Sequence, residues 1–399
     1  MANKNRASLG IIFITIFIDL MGFGILIPIL PTFASKDLGI SDFGIGVIIA
    51  AYSLMQFIFN PVLGRLSDRI GRRPVILATQ LMTASSYIIF AFSNSFALLL
   101  FSRMLAGLGG SNIGVAQAYI ADITSREERA KGMGVIGAAF GMGFVFGPLI
   151  GAFLAKYGYH VAGLGSAVFT LSAFTFAIFK LPESIREKKS AGKFQLKIFD
   201  LKFSKQVLQH PIIGFLIILY FFIIFSIANI YGTFAILGYK YYHFTDQQNG
   251  MLFGINGIVA TIIQAGFIKS FSRKMSDKTI VMIGIVFMVF ALGLLPYGGN
   301  FAGVAFVISL MGIGGGILQP IIPSMISKHS PEHQQGETLG FNQSISAFAR
   351  VLGPLWGGFA FQVFGYQFPF LTGAFFTLLS LIACFYFLRT DKLEEPQSV

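Results

Sequence analysis

The chain is poor in charge. Only 12% of its 399 residues are Asp, Glu, Lys or Arg, about half the ~25% usual for a soluble domain. It has one cysteine, Cys384, so an intrachain disulfide is excluded. Acid is scarcer than base: 17 Asp and Glu against 29 Lys and Arg, a formal net charge of +12. It shows no zinc-ligand spacing and no catalytic triad. The Gly314-Gly315-Gly316 run lies inside an apolar stretch with no Walker lysine after it, so it is not a phosphate loop. These absences argue against an enzyme, against ATP hydrolysis and for no cofactor. A cleavable signal peptide is not expected. The first apolar run is too long, has no A-x-A-type site and contains Asp19.

What is abundant is apolar mass. Hydrophobic residues make up 55%, with 46 Phe and 46 Gly, and the mean hydropathy is +0.74. That much exceeds what a soluble core needs and fits a polytopic membrane protein. Twelve spans are expected, near 9–32, 44–63, 75–92, 97–121, 133–155, 161–181, 211–237, 248–268, 279–297, 301–327, 337–362 and 367–388. With both termini in the cytoplasm, 24 Lys and Arg fall in cytoplasmic segments and three (Lys36, Lys156, Lys240) in external loops. The positive-inside rule therefore sets the orientation, and the net charge reads as topology rather than nucleic-acid binding. Arg103 and Arg350 lie inside spans.

The longest polar segment, 182–210, is rich in lysine and separates six spans from six. A short amphipathic helix is expected over 194–208. The halves repeat. Gly147-Pro148-Leu149 followed by Gly151 recurs as Gly353-Pro354-Leu355 followed by Gly357, and Gly109-Gly110 recurs as Gly315-Gly316. Parallel six-span repeats are a transporter architecture, with substrate bound at the repeat interface near the midplane. The expected fold is an all-α membrane protein of twelve transmembrane helices in two pseudo-symmetric six-helix bundles. The bundles are 1–181 and 211–399, joined by the basic linker 182–210.

The stretch Gly64-Arg65-Leu66-Ser67-Asp68-Arg69-Ile70-Gly71-Arg72-Arg73 lies between spans 2 and 3. It resembles, residue by residue, the signature loop of the major facilitator superfamily. The resemblance extends to the drug–proton antiporter group that includes tetracycline-type and multidrug efflux transporters. It is carried by Phe17-Ile18-Asp19-Leu20-Met21-Gly22-Phe23-Gly24 with Pro28 and Pro31, and by Tyr52-Ser53-Leu54-Met55-Gln56-Phe57. Arg103, Gly107 and Gly109 match the membrane-arginine motif of span 4. Gly137, Gly141, Gly143, Gly147, Pro148 and Gly151 match the antiporter motif of span 5.

This resemblance implies roles that the residues can physically carry. A carboxylate at the bilayer centre costs roughly 2.5–3.5 kcal/mol on insertion scales. Desolvation disfavours its charged form, so Asp19 is a candidate proton carrier, or else a structural carboxylate bonded to neighbouring helices. Arg103 must be paired or hydrogen-bonded. It either tunes a nearby carboxylate, with Asp19 the candidate, or fixes helix packing. The resemblance implies that Asp68 caps span 11 in one conformer and pairs with Arg72 and Asp122. Gly64, Arg69, Gly71 and Arg73 complete that latch, a solvated turn being the alternative. In span 5 the glycine stripes allow close backbone approach, and the resemblance implies a seal between halves. The second-half counterpart of the loop, Lys269 to Lys278, is degenerate.

Polar residues in the spans are candidates for a substrate cavity, or for plain interhelical hydrogen bonds. They are Gln56, Asn112, Gln117, Asn229, Asn256, Gln264, Gln319, Asn342 and Gln343, with Arg350. Tetracycline exporters of this type carry acidic residues late in span 3 and in span 9. Here span 3 reads Ala84-Ser85-Ser86-Tyr87 and span 9 has no charge, which points to another amphipathic substrate. The expected function is proton-coupled efflux of an amphipathic small molecule by a protein of the bacterial cytoplasmic membrane, working as a monomer. The alternatives are a symporter or facilitator for a nutrient, sugar or lipid precursor, and a non-transporting membrane sensor.

Overall fold

A computed structural model describes residues 2–124, 129–185, 201–267, 275–331 and 334–387. Among them the structure is helical, without strands. Ten helical stretches there are long and apolar enough to cross a membrane. The eighth expected span is shorter, 17 residues of α-helix (α11, Asp246–Ile262) followed by a π-helical turn over Ile263–Phe267. The eleventh (α14, Gln335–Val363) is long enough at 29 residues, but Asn342, Gln343, Arg350 and Gln362 dilute its apolar character.

Two spans are broken. Span 1 is α1 (Ala2–Leu26) and α2 (Leu30–Lys36), separated at Pro28. Proline has no N–H to donate and clashes with the preceding turn. Span 4 is α5 (Phe96–Gly109) and α6 (Asn112–Ile123), parted at Gly110-Ser111. The other spans of the first half are α3 (Asp42–Ile70), α4 (Arg72–Ala91), α7 (Arg129–Leu154) and α8 (Tyr159–Lys180). Ser41 and Ser95 cap α3 and α5, their hydroxyls accepting from the N–H of Gly44 and Leu98. The second half has α9 (Leu201–Gln209), α10 (Pro211–Lys240), α11, α12 (Asp277–Leu294), α13 (Phe301–His329), α14 and α15 (Phe368–Phe387). Helix α9 overlaps the amphipathic helix expected over 194–208, of which 194–200 lie outside the described residues. Residues 186–200 of the linker and most of the degenerate loop, 268–274, lie outside the described residues.

The chain forms two compact units, Met1–Ile198 with Phe244–Gly254, and Phe199–His243 with Ile255–Val399. The start of α11 thus packs with the first unit. Asp246 explains this locally. Its two carboxylate oxygens accept from Thr32 Oγ1 at 2.8 Å and Tyr159 OH at 2.9 Å. Gly250 and Gly254 add close contact with Ala152 and Leu149 of α7.

Within the first unit α1 lies against α7 and α8, and α4 against α5 and α8. The glycines of span 5 make the first contact possible. A Cβ on Gly143 would meet Leu20 Cβ at 2.9 Å, and one on Gly147 would meet Gly24 Cα at 2.6 Å. Gly151 lies against the backbone of Ile25. Three of the motif glycines thus serve packing inside one unit, against α1. The second unit repeats the device. Gly353 and Gly357 of α14 lie against Phe225 and Asn229 of α10, at the positions equivalent to Gly147 and Gly151. Large apolar side chains such as Phe179, Phe153 and Phe306 are exposed, as lipid-facing residues are.

Gly147→Val should therefore lower stability by about 1–3 kcal/mol through overpacking. Gly137 has no atom within 4 Å of a built Cβ, so Gly137→Ala should be neutral or stabilising. Thermal unfolding of the two variants in detergent checks this; equal midpoints would remove the packing argument.

Candidate functional site

The charged cluster at the turn between α3 and α4 is built on Arg72. Helix α3 ends at Gly71, whose φ of +115° is a conformation that side chains resist. The reversal puts Arg72 at the first position of α4, one helical turn from Asp68. Its Nη2 meets Asp68 Oδ1 at 2.6 Å, and its Nε meets Asp122 Oδ2 at 3.1 Å. Its Nη1 donates to Ser67 Oγ at 2.6 Å. The Arg72 side chain is only 9% exposed, so these bonds are formed largely out of water. The structure thus brings together Asp68, Arg72 and Asp122, with Gly64 supplying a carbonyl to Ser67 Oγ at 2.6 Å. Arg65 and Arg69 are half-buried on the same turn. Arg73 Nη2 reaches the Ile178 carbonyl at 2.6 Å.

Two residues of this cluster escaped the sequence reading. The Glu183 carboxylate caps α4, accepting from the N–H of Arg72 at 2.9 Å and of Arg73 at 3.2 Å. Ser184 Oγ donates to Asp122 Oδ2 at 2.8 Å. Both lie just past span 6, in what reads as a basic linker. The available signal was an acidic residue after Pro182 in a segment otherwise dominated by lysine.

The membrane-depth site is built on the break in span 4. Gly107 and Gly109 let α5 approach α3 and α4; a Cβ on Gly109 would meet Thr79 O at 2.8 Å. The break frees backbone groups that hydrocarbon cannot satisfy. Gln56 Nε2 takes the Gly110 carbonyl at 3.0 Å and also reaches Tyr52 OH at 3.1 Å. Asn112, the first residue of α6, donates from Nδ2 to Asp19 Oδ2 at 2.9 Å. Asp19 is 8% exposed, and its other oxygen, Oδ1, has no hydrogen-bond partner.

Arg103 is not that partner. Among the described residues no ion pair joins it to Asp19. Its guanidinium lies 5.7 Å from the Tyr87 ring centroid and 5.3 Å from that of Phe90, in cation–π contact. Its Nε faces Ser102 Oγ at 3.3 Å. Tyr87 lies within electrostatic reach of both Asp19 and Arg103.

The other cavity candidates divide. Asn229 is a pin: fully buried, it donates to the Pro369 carbonyl and fixes α10 to α15. Asn256 Nδ2 donates to the Ile308 carbonyl at 3.2 Å, an interhelical bond. Asn342 is buried with no partner on its amide. Gln319, Gln343 and Gln264 are exposed, and Gln117 and Arg350 are half-buried. Arg350 is within electrostatic reach of Tyr220 and Tyr231.

The model of the Major Facilitator Superfamily matches residues 12–354 and 239–399. The chain belongs to that superfamily. It is 30% identical over 359 residues to the class B tetracycline resistance protein of Escherichia coli, covering 88% of this chain and 87% of that protein. It is 28% identical to multidrug resistance protein 2 of Bacillus subtilis (strain 168), over 95% of this chain and 94% of that one. Among solved structures it resembles the human organic anion transporter MFSD10 (TETRAN) with a TM-score of 0.70 and 25% identity, over 95% of this chain and 99% of that one. The protein is a membrane transporter of this superfamily and not an enzyme.

Removing the Glu183 carboxylate leaves two helix N-terminal amides of α4 uncapped. Glu183→Ala should cost about 0.5–2 kcal/mol, the usual worth of an N-cap. Thermal unfolding of the purified variant measures it, and an unchanged midpoint would show the cap to be idle.

Proposed function

We propose that the protein exports an amphipathic small molecule in exchange for protons. The observation that carries this reading is Asp19: a carboxylate in the first span, 8% exposed, held on one oxygen by Asn112 at a broken helix and unbonded on the other. A carboxyl group so placed can exist as a neutral acid or as a partly bonded anion. It binds a proton from outside and releases it inside, and substrate occupancy alternates with that cycle. The similarity to tetracycline and multidrug resistance proteins supports efflux as the direction. The uncharged span 9, and the absence of acid in span 3, favour a substrate other than a metal-chelated tetracycline.

In this reading Asp68, Arg72 and Asp122 bias the equilibrium between conformers. Charge contacts at a helix end are worth about 0.3–1 kcal/mol, up to ~2 when partly buried, enough to weight two nearly balanced states. The protein sits in a bacterial cytoplasmic membrane with both termini inside, and acts as a monomer. A second reading, export of an organic anion, is favoured by the similarity to human MFSD10. The buried Arg103 gives that reading a cation inside a span.

The test is efflux of a substrate panel, organic cations and anions included, from proteoliposomes under an imposed pH gradient. The parent chain should drive efflux of an amphipathic member. Asp19→Asn should fall to the level of protein-free liposomes while inserting normally. Gradient-driven efflux by Asp19→Asn at the parent rate would remove Asp19 from the mechanism.

A further inference from the structure

Hydroxyl side chains in membrane helices usually satisfy themselves by bonding back to a carbonyl three or four residues earlier. Helix α8 follows this habit. Ser166 bonds the Ala162 carbonyl at 3.0 Å, Ser172 the Val168 carbonyl at 2.7 Å and Thr175 the Leu171 carbonyl at 2.8 Å. Thr170, on the same helix, does not. It is fully buried, and its Oγ1 has no hydrogen-bond partner. Leaving a buried hydroxyl unbonded is costly unless another state uses it.

Its surroundings say what that use is. Gly22 of α1, three residues past Asp19, has no side chain, and a Cβ there would meet Thr170 Oγ1 at 2.8 Å and the Ser166 carbonyl at 3.0 Å. The missing side chain lets α8 bring Thr170 beside the Asp19 carboxyl group. Asp19 Oδ1, the oxygen that Asn112 does not hold, is likewise buried and unbonded. An orphan donor and an orphan acceptor thus lie next to each other. The titratable groups within electrostatic reach of this cluster are Tyr87 on α4, with Tyr52 on α3 and Arg103 on α5 behind it. The α7 face against α1 is Gly143, Gly147 and Gly151, without charge.

We propose that Thr170 is a positioning residue of the proton site, whose hydroxyl donates to Asp19 Oδ1 when the carboxyl group is ionised and lets go when it is protonated. This rests on the reading of Asp19 as the proton carrier. The two states balance simply. The proton on Asp19 leaves to water and returns from it, while Thr170 keeps its own proton and changes only its hydrogen bond. The ionised carboxylate is then held from both sides, by Asn112 of α6 and Thr170 of α8. The neutral acid releases α8. Protonation is thereby felt by span 6 as well as by the broken span 4.

Infrared titration of the full chain in proteoliposomes tests this without a known substrate. The carboxylic acid carbonyl band that is lost in Asp19→Asn reports Asp19, and its midpoint is followed against pH. A hydrogen bond to the ionised form favours that form, so removing it makes the acid persist to higher pH. Thr170→Val, close to threonine in shape, should move the midpoint up by about one pH unit. Thr170→Ser should restore the parent midpoint. If Thr170→Val does not insert, Thr170→Ala is read in the same way. A midpoint unchanged in the variant without a hydroxyl reduces Thr170 to packing and overturns the proposal. Failure of the underlying reading looks different: the parent then shows no titrating band that Asp19→Asn removes.

Discussion

Inside a bilayer every polar group must find its partner within the protein, because no water is there to substitute. Most of this structure can be read as answers to that demand. Ser and Thr residues bond back along their own helices, as Thr79, Thr83, Ser166 and Thr233 do. Asn229 and Asn256 spend their amides on carbonyls of neighbouring helices. Arg103 lies against two aromatic rings, although its Nη2 has no hydrogen-bond partner. Backbone freed at the break in span 4 is taken up by Gln56. Of the buried side-chain atoms left unsatisfied among the described residues, Asp19 Oδ1 and Thr170 Oγ1 are neighbours.

The charged turn between α3 and α4 is held differently. There the Arg72 guanidinium gathers Asp68, Asp122 and Ser67, and Glu183 holds the first amides of α4. The glycine at 71 is required twice: its backbone has positive φ, and a side chain would strike the Glu183 carboxylate. The loop that looks like a topology anchor in sequence is therefore the base on which α3, α4, α6 and the start of the linker converge.

The fold class was legible because apolar length and basic-loop charge are one-dimensional signals. The Arg72 cluster was legible as a motif, and the span 5 glycines as a stripe. What escaped had no one-dimensional signature. Gly109-Gly110 reads as one copy of a repeat with Gly315-Gly316, yet the helix breaks at Gly110-Ser111 and places Asn112 on Asp19. Glu183 is one of three acids in a basic segment, beside Glu187 and Asp200. Thr170 looks like any membrane threonine until its missing back-bond is seen. Arg103 was read either as tuning a carboxylate such as Asp19 or as fixing helix packing; the sequence carries no sign that its guanidinium lies over the rings of Tyr87 and Phe90. Phe244–Gly254 falls after the linker yet folds with the first unit, because Asp246 finds two hydroxyls there.

The spacing of partners along the chain also bears on how the protein is made. Arg72 and its ion-pair partner Asp122 are 50 residues apart. At roughly 5–20 residues per second of synthesis, Arg72 waits on the order of 5 s for Asp122 to be made. A guanidinium cannot shed its charge to pass that time, but its other partner, Asp68, precedes it in the chain. Asp19 precedes Asn112 by 93 residues and lies in the hydrocarbon, where an ion could not wait; a carboxyl group can, as the neutral acid. Arg103 cannot shed its charge either, and both its rings, Tyr87 and Phe90, precede it in the chain. Each of these three charges is thus either neutralisable or made after a partner.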